Sequence, residues 1–270
     1  MVAYFKKQNN LFMLLGAVLG MVVAIVFFEQ MTASIPGYFK LFFILLPVIF
    51  GAVLGRIYAA FWSNKKLREY NSLLYTQVEP ERFLEVFTPV VNKAPRDNIA
   101  YVDGCNKLAY AHEALGQFEE AMALVAPLKP EELKNHALGG MAITCNQQMR
   151  LLLLQEKQDE ARDMLQQLRN IAEAAMERAP SLGKNTNECV RLYEIWLAVL
   201  DGQPADESYL LEEIQLSQNR IHKSEIQLLL ARAYENRGDQ LQADELRMEA
   251  LTTGMGLWAE RKARELLTIA

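Results

Sequence analysis

The sequence predicts an all-α chain in two parts: an N-terminal transmembrane helical hairpin, then an α-solenoid of antiparallel helix pairs. Three observations predict it. Two long apolar runs, residues 11–28 and 41–62, lie near the N-terminus. From residue 97 onward apolar side chains recur at three- and four-residue steps, with no strand-like alternation. Along that second part a pattern of small residues returns several times, the mark of a repeated helical unit.

Charge divides the chain at the same place. Residues 1–79 carry seven Lys+Arg against three Glu, whereas 80–270 carry 21 Lys+Arg against 30 Asp+Glu, within a net charge of −5. The acidic body speaks against duplex nucleic acid as a partner, because binding there needs cations to replace counterions. Cys105, Cys145 and Cys189 stand far apart with no CxxC and no Cys/His pair at zinc spacing. An odd set of thiols fits a reducing compartment, and each reads as a small buried helical residue.

The domain plan reads in order. Residues 1–62 form the hairpin. The first run has 18 residues without a charge, about 27 Å of helix against a hydrocarbon core of about 30 Å. The second is interrupted only by Arg56, placed to snorkel, with Tyr58, Phe61 and Trp62 as an aromatic anchor. Residues 29–39, with a Pro36-Gly37 turn signal, connect the two. Lys6 and Lys7 before the first run, and Lys65, Lys66 and Arg68 after the second, outnumber Lys40 between them. The positive-inside rule therefore puts both termini and the body in the cytoplasm, in a two-span cell-membrane protein. A cleaved signal peptide ending near Ala33 is the competing reading, but the first run is long for one.

The pentapeptide GAVLG occurs in both runs, at 16–20 and 51–55. In an antiparallel hairpin Gly16 and Gly20 lie level with Gly55 and Gly51. Glycines four apart let helix backbones approach closely in lipid. The motif supports a contact within the chain and also a contact with a second molecule, so a homo-oligomer through the spans stays open.

Residues 63–96 read as a juxtamembrane helical linker and a first packing helix. Leu67, Tyr70, Leu74 and Val78 keep a helical period; Pro80 and Pro95 bracket Phe83, Val86, Phe87 and Val90.

Residues 97–270 carry the repeat and a closing helix. The segment from 108 aligns with the segment from 230: Leu108 with Leu230, Ala109 with Ala231, His112 with Tyr234, Gly116 with Gly238, and Ala121 with Ala243. Two weaker copies fall between, with Ala161 in the alanine slot of one and Gly202 in the glycine slot of the other. Brief turn signals separate the helices, at 115–117, 155–158, 179–185, 201–206 and 236–240. This pattern resembles the tetratricopeptide repeat (TPR) family over roughly residues 97–252. The glycine slot moves from Gly116 through Lys157 and Gly202 to Gly238, wider steps than the family's 34 or so. A different α-solenoid or an irregular bundle is the alternative. The segment 258–270 reads as a capping helix.

The resemblance implies a concave face built from the first helix of each pair. In its register Asn106, Tyr110 and Glu113 point inward in the first copy, Asn146 and Arg150 in the second, and Arg232 in the last. Asn106 and Asn146 would hold a peptide backbone, and Arg150 and Arg232 a carboxylate; a merely solvated face is the alternative. Catalytic patterns are missing. HEALG at 112–116 lacks the second His of a zinc-protease helix, and neither a phosphate-binding glycine loop nor GxSxG occurs. The sequence thus reads as a membrane-tethered adaptor or scaffold for a protein or peptide, without cofactor, metal or enzymatic activity. The second reading is an accessory or assembly subunit of a transport or secretion complex, acting through its hairpin.

Overall fold

A computed structural model describes residues 5–31, 37–133 and 136–269. Among them the chain forms twelve α-helices and no strand. They divide between two compact units, residues 1–71 and 72–270. The sequence-predicted turn at Pro36 lies outside the described residues.

The first unit holds α1 (Lys6–Met31) and most of α2 (Gly37–Tyr75). Both are long and apolar enough to cross a membrane, over Lys7–Val26 and Leu45–Tyr75. Their side chains are largely exposed, as Leu14, Val18, Leu46, Ile49 and Phe50 show. Two helices with so little buried surface have no water-driven reason to pair. What joins them is backbone proximity at the glycines. A Cβ built on Gly16 would fall on the Gly51 carbonyl oxygen and come 3.1 Å from the Gly55 Cα; one on Gly51 would fall on the Gly16 carbonyl and come 3.2 Å from the Gly20 Cα. Gly20 likewise faces the Pro47 carbonyl, and Gly55 that of Phe12. The two GAVLG copies therefore meet each other within the chain.

Polar and aromatic contacts finish the seam at one end. Ser63 Oγ donates to Asn9 Oδ1 at 2.9 Å, both residues buried. Phe12 meets Tyr58 edge-on at 5.1 Å, and Trp62 lies 5.2 Å from Phe5.

The second unit continues through α3 (Pro80–Val91), α4 (Ile99–Ala114), α5 (Phe118–Val125), α6 (Ala137–Leu154) and α7 (Gln158–Arg178). It closes with α8 (Pro180–Leu200), α9 (Glu207–Leu216), α10 (Arg220–Asn236), α11 (Gln240–Thr253) and α12 (Trp258–Ile269). The helices form pairs, α4 with α5, α6 with α7, and α10 with α11. α7 packs on α8 as well and α9 on α10, and α4, α6, α8 and α10 also contact one another in that order. Side-chain caps start several of them: Asn98 Oδ1 accepts from Ala100 N, and Asn219 Oδ1 from Ile221 N.

Local backbone matches several of the small-residue positions. Gly116, Gly202 and Gly238 take φ of 72°, 70° and 84° where α4, α8 and α10 end. In the second pair the slot belongs to Glu156, at φ 56°, one residue before Lys157, where the sequence alignment put it. Five residues beyond Gly116, Glu156 and Gly238 stand Ala121, Ala161 and Ala243, each fully buried. The turn signal at 179–185 is corrected more strongly: α7 and α8 are separated by Ala179 alone, and 180–185 are helical. Gly183 is small because a Cβ there would lie 2.6 Å from the Met176 backbone nitrogen. It serves the packing of α8 on α7, and Pro180 sits at the helix start, where its missing N–H costs nothing.

The segment 258–270 does more than cover the last pair. Through Ala259 and Ala263, α12 packs on Leu228 and Ala250, and it also touches α4. Trp258 lies edge-on to Phe118 at 5.5 Å, and Arg261 Nη2 donates to the Leu115 carbonyl at 2.5 Å. Contacts thus run in a closed circuit, α4 to α6 to α8 to α10 to α12 and back to α4.

Two predictions follow from these contacts. Gly51→Leu should drive α1 and α2 apart: a cysteine pair at positions 9 and 63, in a chain without other cysteines, crosslinks in the parent and loses most of that yield in the variant. Undiminished crosslinking would show that the glycine contact is dispensable. Gly116→Ala combines an unfavourable φ with a Cβ that would lie 2.6 Å from Trp258 Cδ1. It should cost upward of about 1 kcal/mol in denaturant unfolding.

Candidate functional site

The inward positions of α4, α6 and α10 converge on a buried ionic cluster. Arg150 on α6 is its centre. Its Nη2 donates to Glu113 Oε1 on α4 at 2.6 Å and to Glu225 Oε2 on α10 at 2.6 Å. Side-chain exposures of 9 % for Arg150, 0 % for Glu113 and 3 % for Glu225 put all three out of water. Gln147 Nε2 donates to the second Glu113 oxygen at 2.5 Å. The guanidinium also lies over the Tyr110 ring, 5.1 Å from its centroid. His222 Nδ1 stands 3.5 Å from Arg150 Nη1, and its Nε2 3.4 Å from Glu213 Oε2.

Two carboxyl groups on one guanidinium leave an excess of acid. Burial pushes the Glu225 carboxyl up to about 8; Arg150 draws it down and Glu113 raises it further. Burial opposes the Arg150 charge as well, but the two glutamates more than offset it and hold the guanidinium well above its usual range. Burial also lifts the Tyr110 and Tyr193 phenols well above theirs, and the Cys145 thiol to about 12. These thiols and phenols stay protonated near neutrality, which is not the state of a nucleophile.

The six sequence-predicted groove residues separate into two groups. Tyr110, Glu113 and Arg150 come together in the cluster, but as buried partners of one another. Arg150 already has two carboxylates of its own chain, so the reading of it as a free receptor for a partner's carboxylate is corrected. Asn106 is buried on α4, and its Nδ2 donates to the Val102 carbonyl at 2.8 Å and to Thr144 Oγ1 at 3.2 Å. Asn146 is half-buried and its Oδ1 accepts from Tyr193 OH at 2.7 Å. The two amides serve different neighbours and form no paired clamp. Arg232 stands apart, half-exposed, with Nη1 on Glu156 Oε1 at 2.7 Å.

Arg232 lines a cavity of about 700 Å³ in this unit. Leu153 and Leu154 of α6, Trp196 and Leu200 of α8, Leu228 and Leu229 of α10, and Trp258 and Leu266 of α12 form its apolar wall. Glu156, Glu225, Arg232, Glu235, Arg247 and Lys262 supply its charges. Those cations have acids beside them: Arg232 has Glu156, Arg247 has Glu235 and Asp244, and Lys262 has Glu265. Such a lining suits an apolar chain segment with a few polar groups better than a strongly charged ligand. The volume falls within the about 300–1,000 Å³ usual for ligand sites. In the first unit a groove of about 500 Å³ follows the glycine seam between Leu15, Leu19, Phe50 and Leu54. Among the described residues no group of His, Cys, Asp and Glu is placed to hold a metal.

Sequence reasoning missed Glu225, Gln147, His222 and the two cavity tryptophans. A signal for Glu225 existed. It falls four residues after Ile221 and three before Leu228, on the apolar stripe of α10. An acid on such a stripe implies a buried partner. The partner's identity was not readable, because it comes from α6.

Compared with protein-family models, curated proteins and solved structures, the chain matches none.

Removing Arg150 alone would strand two acids in the interior. Arg150→Met should lower unfolding free energy at neutral pH by about 3–5 kcal/mol. Arg150→Met with Glu113→Gln and Glu225→Gln should recover most of that loss in the same urea titration, since no buried charge then remains unpaired.

Proposed function

We propose that this protein is a membrane-anchored adaptor. Its α1–α2 hairpin holds it in the cell membrane, and its helix pairs stack as a TPR-like α-solenoid on the cytoplasmic side. That body binds a segment of a partner protein. The observation that carries the reading is the cavity of about 700 Å³ among α6, α8, α10 and α12, with tryptophans and leucines on its wall and charges around it. Recurrent small-residue slots and the side-by-side order of α4, α6, α8 and α10 support the repeat. Cationic residues flanking the two apolar helices support the orientation. No residue constellation calls for an enzymatic reaction, and the body's acidity disfavours nucleic acid.

A second reading has its own observation. The groove of about 500 Å³ along the glycine seam gives the hairpin a shaped apolar surface. That favours an accessory or assembly subunit whose membrane helices make the functional contact.

Exchange of the hairpin for an unrelated two-span anchor separates the two. Under the adaptor reading, affinity purification in mild detergent recovers the same partner with the exchanged chain. Recovery falls at least tenfold with Arg232→Glu and Lys262→Glu at the cavity. Loss of the partner on hairpin exchange, with the cavity variant unaffected, would establish the membrane-subunit reading instead.

A further inference from the structure

The excess acid at Arg150 has a mechanical consequence. Glu113, Arg150 and Glu225 come from three helices, and each carboxyl oxygen that meets the guanidinium does so at 2.6 Å. Both carboxyls meet the same guanidinium nitrogen, Nη2. With Glu225 protonated the cluster is neutral and its members have partners. Without that proton, two carboxylates share one guanidinium and a net negative charge is left in the interior, at a cost of several kcal/mol unless water reaches it.

The cluster is asymmetric in how water can reach it. Glu113 is sealed by Gln147 and fully buried. Glu225 lines the cavity of about 700 Å³. The cheapest way to hydrate the excess charge is therefore to move Glu225, and with it α10, toward that space. We propose that Glu113, Arg150 and Glu225 form a proton-operated latch: a proton on the Glu225 carboxyl keeps α10 closed on α4 and α6, and its release loosens α10 at the cavity.

The groups around Glu225 agree with this assignment. From α4 come Glu113 and Tyr110, from α6 Arg150, and from α8 Tyr193, with Cys189 near Arg150 on the same helix. On α10 itself His222 faces Arg150 and is bonded to Glu213 of α9. Arg232 on α10, Arg247 on α11 and Lys262 and Glu265 on α12 line the same cavity. Gln227, two residues along α10, donates to Glu249 of α11 at 3.0 Å. Tyr110 and Tyr193 are raised well above 10 by burial, and Arg150 stays charged. Burial raises the Cys189 thiol too. Glu225, pushed up to about 8, thus changes charge while Tyr110, Tyr193 and Arg150 do not.

The direction of the effect follows from linkage. Between the ordinary carboxyl value of 4.5 and about 8, the closed body holds a proton that the loosened state has released. Closure therefore weakens as pH rises through that window and levels off above it.

Hydrogen–deuterium exchange of α10 in the full chain, reconstituted in lipid nanodiscs, tests the latch. After correction for intrinsic exchange, protection should fall about tenfold per pH unit from pH ~6 to ~8, then level off. Glu225→Gln, which keeps the amide's hydrogen bonds without the titration, should hold protection constant over the range. Glu113→Gln, which leaves Glu225 balanced by Arg150, should also remove the slope, and it decides the matter if Glu225→Gln fails to fold. His222→Gln should leave the slope in place. A flat profile in the parent chain overturns the latch, as does a slope that survives Glu225→Gln or Glu113→Gln, or one abolished by His222→Gln.

Discussion

Arg150 meets one carboxylate from 37 residues earlier in the chain and another from 75 residues later. Three helices of the body, α4, α6 and α10, are thereby joined through one guanidinium nitrogen. Apolar contacts fill the space around it, from Met149 and Leu153 on α6 to Ile226 and Leu230 on α10, but such contacts tolerate small slides of one helix on another. A guanidinium held by two buried carboxyls does not, because a shift of an ångström or two strands a charge. The cluster therefore sets the register of α4, α6 and α10, and with them the cavity that α10 helps to wall. Apolar periodicity supplies the helices, and the ionic cluster determines how they close.

The hairpin solves a different problem with a different tool. Its outward side chains are aliphatic and exposed, so pairing cannot come from removing them from water. Glycines at 16, 20, 51 and 55 let the two backbones touch instead, and dispersion over that seam holds the pair. Asn9 and Ser63 add a hydrogen bond at the end where the aromatic rings gather. Each unit thus relies on small or polar groups placed where large apolar side chains would otherwise be expected.

Much of the architecture was legible from local chemistry. The two apolar runs, the helical period and the glycine and alanine slots at 116, 121, 238 and 243 each follow from short-range rules, and helices stand where those rules placed them. Legibility failed where a neighbour overrode local preference. Ser181, Leu182 and Gly183 looked like a turn and are helix, because α8 needs a small residue against Met176. Glu156 takes a left-handed conformation that its residue type does not favour, so nothing local announced it. The groove residues show the same limit: Glu113 and Arg150 are buried and face each other, a pairing that no local pattern could reveal.

By itself the sequence determined helix content, the two membrane-length apolar segments and the glycines at which α4, α8 and α10 end. These depend on periodicities of a few residues and on the conformational range of single residue types. Only the tertiary structure decided what the inward faces meet. It brought Glu225 and Glu113 to one guanidinium, set α12 against both α4 and α10, and laid one GAVLG on the other. Those outcomes join residues tens to more than a hundred positions apart. Their free energy comes from burial, charge and backbone approach, none of which exists until distant helices are in contact.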